Sequence, residues 1–253
     1  MEQERKREID RAEAAGYLPQ LRALAMSATV PLWWSRNSIP IGRSILHNGT
    51  LSAFNTGVRT ICVTAGHVYA QYQSDIQRYD DVECQIGNVR IRLEDWLIQH
   101  NSTMDLATFQ ISPILLAGSG IRVQSAQGWP PAGLRDHEVV VLGGYPGRFR
   151  NERTRAVDSS FVSFFAPVMQ SSEDHSAFQL NLVDSYWPNG SGGIPERSEL
   201  GGMSGGPIFR HHSKPIEFLE LAGFIYEASS EFELLRGRHA SSINSIGEIA
   251  RGT

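Results

Sequence analysis

From Pro31 onward the chain reads as a succession of short strand-like runs with no long amphipathic helix between them. "VRTICVTAGHV" is β-branched and apolar, "NVRIRLEDW" alternates with period two, and "DLATFQIS" and "IRVQSA" continue the series. "SILHNGTLSAFNT" carries hairpin-turn chemistry at Asn48-Gly49. After "GWPPAG", which reads as a linker, come "HEVVVLGGYPG", "SSFVSFFAPV", "AFQLNLV", "GGPIF" and "FLELAGFIYEA". Parallel strands need long crossovers, usually helical, so this texture disfavours a βαβ architecture. It predicts two groups of antiparallel strands, barrels or sandwiches, over residues 28–127 and 128–253. Helix is expected only at the ends. Residues 1–27, rich in Glu, Arg, Lys and Ala, read as a helical arm on the main body, and "SSINSIGEIARG" reads as a short serine-capped helix.

At 253 residues and 41% hydrophobic, the chain is long enough to bury a sizeable core. A net charge of -4 sets up no field that would draw nucleic acid or an anionic membrane. No apolar run approaches the ~18 residues of a membrane-spanning helix, and the charged start lacks a secretory layout. The two cysteines, Cys62 and Cys84, make no disulfide framework. Together these features lead us to expect a soluble, cytoplasmic protein. Cys62, in an apolar strand, is expected in the core. Trp33 and Trp34 are expected to pack rather than to recognise a ligand. His211 and His212 are adjacent, so a strand points them to opposite faces; no metal or cofactor is expected.

"ELGGMSGGPIF" sets Ser204 among Gly201, Gly202, Gly205 and Gly206. A serine hydroxyl becomes a nucleophile only when a neighbouring base takes its proton. Attack on an acyl carbon creates an oxyanion, which needs donors fixed in advance; backbone N–H groups on a glycine-rich turn supply them. The stretch satisfies both the G-x-S-x-G elbow of α/β-hydrolases and a G-x-S-G-G-P loop. The hydrolase order requires an acid and a histidine after the serine, and no Asp follows Ser204. The other order, His then Asp then Ser, finds His67 in "VTAGHVY" and Asp105 in "TMDLATFQI".

With these residues in place, the sequence resembles the trypsin/chymotrypsin-like serine proteases over roughly residues 40–230. "CVTAGHV" is similar to their T-A-A-H motif, with Gly66 replacing an alanine; "DLATFQI" resembles their aspartate strand and "GMSGGPIF" their serine loop. "VVLGGYP" resembles a turn common in the bacterial trypsin-like domains. The resemblance implies an all-β fold of two antiparallel six-stranded β-barrels, with His67 and Asp105 on the first and Ser204 on the second. It implies a serine endopeptidase: Ser204 as nucleophile, His67 as base and then acid, and Asp105 as the group that fixes the imidazole. Gly202 and Ser204 would supply the oxyanion-hole N–H groups, and Tyr226, Glu227 and Ala228 would pair with the backbone of a protein or peptide substrate. Ser198 would lie at the base of the specificity pocket, where Glu199 and Glu227 add negative charge that would favour a basic residue. An esterase on the same triad and a catalytically silent binding module are the alternatives.

Besides Gly66, two further departures from the family pattern bear on this reading. Met203 stands where many secreted members carry Asp, and no I-V-G-G activation site is present, so activation by an inserted N-terminus is not expected. Tyr226 occupies the cleft-strand position where a serine often supports the aspartate. The helical arm and the acidic stretch "EASSEFELLRG" are candidate contacts for a regulatory partner or a second copy.

Overall fold

The computed structural model describes residues 17–39, 45–126, 128–153, 156–180, 200–212, 218–229 and 234–250. The first strand group builds one sheet from β1 (Thr29–Arg36), β2 (His47–Asn55), β3 (Thr60–Ala65), β4 (Val82–Ile86), β5 (Val89–Ile91), β6 (Leu97–Asn101) and β7 (Leu106–Phe109). Its order in space is β5-β4-β1-β2-β3-β7-β6, all antiparallel, and β8 (Gln124–Ser125) pairs in parallel with β2. The sheet curls around Leu32, Leu51, Tyr69, Leu93 and Phe109 as a half-barrel; among the described residues its end strands β5 and β6 do not pair.

The second group closes. β9 (Val139–Gly144), β12 (Val162–Ser171), β13 (His175–Gln179), β16 (Leu234–His239), β15 (Phe218–Ser229) and β14 (Pro207–His212) form a six-stranded barrel, and β10 (Arg150–Arg153) with β11 (Ala156–Ser159) form a separate hairpin. Alternate residues of these strands point inward, as the pleat requires. Val140, Leu142, Phe164, Phe178, Ile208 and Ile225 fill the interior.

A third apolar cluster joins the two units. Phe54, Ile61, Val63 and Leu106 of the first meet Val141, Phe209 and Phe224 of the second. Phe54 lies 6.0 Å from Phe209 and 5.8 Å from Phe224, centroid to centroid, both edge-on. The described part of the N-terminal arm is helix α1 (Tyr17–Ser27); its Ala25 is buried in this seam and its Arg22 Nη2 donates to Phe161 O at 2.9 Å. Residues 1–16 of the arm and part of the acidic stretch lie outside the described residues.

Three local expectations are corrected. Asn48 and Gly49 are not a turn but lie inside β2; a Cβ at Gly49 would sit 2.8 Å from Val68 Cγ1, so the glycine marks a close approach. "GHVYAQYQSDIQR" is helix α2 (Gly66–Arg78), whose Val68, Tyr69 and Tyr72, spaced as a helix face, are buried against the first sheet. A shorter helix, α3 (Pro113–Ser119), ends at Gly120 in the left-handed region. The ending near residue 241 is a single 3-10 turn, Ala240–Ser242, followed by a bridge between Ile243 and Ile249 that delivers both side chains to the seam.

Candidate functional site

β3 runs into α2 at a tight corner, and His67 is the second residue of that helix. The corner presses on the loop before β7: a Cβ on Gly66 would lie 2.9 Å from both the carbonyl carbon of Asp105 and the nitrogen of Leu106. An alanine at 66 would push this corner off the Asp105 loop, a physical reason for glycine where T-A-A-H has alanine. Asp105 sits at φ +50°, a left-handed conformation that Asp tolerates better than most residues. Asn101 Oδ1 accepts the N–H groups of Thr103 and Met104, both at 3.0 Å, and so shapes the turn that leads into it. The Asp105 carboxylate then grips His67 twice. Oδ1 accepts the His67 backbone N–H at 2.6 Å, and Oδ2 lies 2.9 Å from the ring Nδ1. This contact fixes the ring plane and makes Nδ1 the protonated nitrogen, leaving Nε2 to accept.

The Ser204 loop is bound to the other unit mainly through carbonyl groups. Thr50 N donates to Ser204 O at 2.9 Å, Thr50 Oγ1 to Gly202 O at 2.8 Å, and Ser52 Oγ to Gly205 O at 2.7 Å. Thr64 Oγ1 closes the set onto Thr50 O at 2.8 Å. Thr50, Ser52 and Thr64 are fully buried, so these bonds are shielded from water. On the barrel side Gly205 N donates to Ile225 O at 2.7 Å. Gly202 and Gly205 have φ of +101° and +92°, so glycine is required at both. Met203 between them is fully buried in the barrel core. With the carbonyls occupied, the N–H groups of Gly202 and Ser204 donate to no described group.

These pieces line one cleft of about 600 Å³ at the junction of the two units. His67, Asp105, Ser204, Gly202, Tyr226, Glu227 and Ala228 all reach it. Ser198 and Glu199 lie outside the described residues. The His67 side chain is 53% exposed, whereas Ser204 as a whole is 9% exposed. Ser204 Oγ makes no hydrogen bond to a described group, the imidazole included. Tyr226 falls at a bulge, because Ile225 pairs with Gly237 and Glu227 with Arg236. Bulges re-aim side chains beside sites of this kind. Glu227, at the rim, pairs with Arg236 at 3.0 Å.

The sequence reading missed the residues that build the walls. Thr50 and Ser52 were legible only as strand residues, although two hydroxyls two apart on one face are a signal for a polar seam. Trp34 packs as expected, but it also lines the cleft. Its ring stacks on His47 at 5.3 Å and its Nε1 donates to Asp75 Oδ2 at 2.8 Å. The thiols play no part: burial pushes Cys62 up to about 12, and burial with Glu94 and Glu83 nearby raises Cys84 well above its usual value. His211 and His212 do face apart, His211 against Phe165 and His212 bonded to Glu220 at 2.8 Å. No group of three or more metal-ligating side chains occurs among the described residues, and no helix there is long and apolar enough to cross a membrane.

A curled half-barrel and a closed six-stranded barrel, sharing an apolar seam with a cleft at their junction, make a chymotrypsin-like two-barrel fold. No protein-family model and no curated protein matches the chain. Among solved structures, a Glu endopeptidase in complex with MPD is similar at TM-score 0.47 and 13% identity, over 86% of this chain and 87% of that one. A chain from work on the coupled folding and binding of the intrinsically disordered Sesbania mosaic virus VPg protein is similar at TM-score 0.43 and 14% identity, over 85% and 92%.

Proposed function

We propose that the protein is a serine endopeptidase that cleaves protein or peptide substrates through an acyl-enzyme. The observation that carries this reading is the His67–Asp105 pair sharing one cleft with Ser204 and two uncommitted N–H groups. Ser204 Oγ attacks the scissile carbonyl and its proton passes to His67 Nε2. Asp105 holds the Nδ1 proton and stabilises the imidazolium. The N–H groups of Gly202 and Ser204 receive the oxyanion. The imidazolium then protonates the leaving amine, and a water activated by His67 hydrolyses the ester. The reaction needs Ser204 Oγ to come within ~3 Å of Nε2; such contacts are commonly long in unliganded sites and tighten with substrate. The backbone of Tyr226 to Ala228 pairs with the substrate chain as an added strand.

A fluorophosphonate probe tests the proposal. Labelling of the wild-type chain that is lost in both Ser204→Ala and His67→Ala, with the fold intact in each, is the expected result. Wild-type-like peptidase activity in Ser204→Ala would overturn it. No labelling of well-folded wild-type protein would point instead to a silent binding module.

A further inference from the structure

We propose that Arg238 is the positioning residue of the His67–Asp105 pair, an inference that rests on the catalytic reading of that pair. Among the described residues, no side chain of the closed barrel hydrogen-bonds to the Asp105 carboxylate, whose bonds come from His67 alone. Tyr226, at the position where the family pattern offers a supporting hydroxyl, has its ring against the Arg238 guanidinium and makes no hydrogen bond to Asp105. The support is relayed through the backbone. Arg238 on β16 donates Nε to Met104 O at 2.9 Å and Nη2 to Thr103 O at 3.2 Å. Those are the two residues immediately before Asp105, which occupies a backbone conformation that L-residues disfavour.

The guanidinium is itself fixed on two sides. Nη1 donates to Asp174 Oδ2 at 2.5 Å, and the Tyr226 ring lies with its centroid 4.9 Å from Cζ. Asp174 is held in turn, because its carbonyl accepts the His239 N–H at 2.9 Å and its carboxylate meets His175 Nδ1 at 2.7 Å. The Arg238 side chain is only 14% exposed, so water competes weakly for these bonds. One planar fork reaches two carbonyls and a carboxylate at once, which the point charge of a lysine cannot do. Arg238 therefore ties the loop carrying Asp105 to the strand that bears Tyr226. This side chain adds, to the apolar seam, a direct polar tie between the Asp105 loop and the substrate-strand side of the barrel.

The test uses the full chain with Arg238→Met and Arg238→Lys. Two readouts are followed: the downfield proton of the His67–Asp105 hydrogen bond in ¹H NMR, assigned by its loss in His67→Ala, and kcat and KM on a peptide substrate. Both variants should shift or lose that proton. In Arg238→Met, kcat should fall by about 100-fold with KM little changed, the scale of a small misplacement of catalytic groups. Arg238→Lys should be impaired as well, although its charge is kept. A folded Arg238→Met with an unchanged proton and unchanged kcat overturns the proposal, as does a loss of thermal stability alone. If Arg238→Met does not fold, Arg238→Lys decides by the same two readouts. If the wild type cleaves no peptide, the endopeptidase reading fails, while the NMR comparison still decides the role of Arg238.

Discussion

Met203 offers the sharpest test of how the Ser204 loop is held. It sits between two glycines of positive φ and its side chain is fully buried with Leu142, Leu200 and Ile208 in the barrel core. A loop that lacks an ion-paired carboxylate at this position must be anchored otherwise, and burial of the thioether side chain adds an apolar anchor to the hydrogen bonds on its carbonyls. Truncation to alanine removes that transfer energy and leaves a cavity, which together cost about 2–5 kcal/mol for a buried Met. Because about 1 kcal/mol moves the melting temperature by about 2–4 °C at this chain length, Met203→Ala should melt about 4–20 °C lower. Met203→Leu, which nearly conserves volume, should cost under about 1.5 kcal/mol. Differential scanning calorimetry gives the stability, and the rate of fluorophosphonate labelling reports the loop. The rate should fall in the alanine variant even at temperatures where it is fully folded. An alanine variant that melts like the wild type and labels at the wild-type rate would refute the idea that burial at 203 shapes the site.

Three further outcomes are expected. Asp105→Asn should keep the fold, by circular dichroism, yet lose roughly 10⁴ in kcat through the wrong imidazole tautomer. Gly205→Ala should destabilise by more than about 4 kcal/mol or fail to fold, because its Cβ would lie 2.1 Å from Thr50 O at φ +92°; Gly201→Ala, with nothing within 4 Å of the added carbon, should fold normally, and urea melts compare the two. His239 is 1% exposed, and its pKa is lowered from 6.5, first by burial. The unfolded chain therefore binds a proton that the folded chain refuses, so its contribution to stability is full above about 6.5 and is lost as pH falls below it. Urea midpoints measured down through that range should show this loss in the wild type and a flatter profile in His239→Gln.

What the sequence disclosed was its strongest local patterns. Alternating runs became strands, and the order of His67, Asp105 and Ser204 was visible because each motif is short and carries its own backbone signature. Helix α2 is obscured in the sequence because the β-branched "VRTICVT" runs directly into "AGHV", although Val68, Tyr69 and Tyr72 have helical spacing. Asn48-Gly49 misled for a different reason. A glycine required by a neighbour's side chain looks identical in sequence to one required by a turn, and only the position of Val68 separates the two. The curling of the first sheet without closure follows from which edges meet, a long-range outcome that no local pattern encodes. Arg238 and Thr50 were invisible for the same reason, since their partners lie 134 and 152 residues away.

The three departures from the family pattern share one physical feature, which is that backbone groups and buried side chains, rather than a salt bridge at the Ser204 loop, hold the site in place. Gly66 lets the helix corner rest on the backbone of Asp105 and Leu106. Thr50 and Ser52 hold the Ser204 loop by its carbonyls, and the buried Met203 pins it from the barrel side. Tyr226 surrenders direct support of the carboxylate but packs on Arg238, which holds the carbonyls of Thr103 and Met104. Hydrogen bonds to carbonyls involve no titrating group, whereas a latch built on a carboxylate–amine pair is lost when either partner changes protonation state. A site assembled this way is set by folding itself, so under the proposed function its reactivity toward the fluorophosphonate probe should follow the cooperative unfolding of the seam. Parallel loss of labelling and of near-ultraviolet circular dichroism in urea is the expected behaviour. Labelling lost well before the tertiary signal would show that the loop is held independently of the seam.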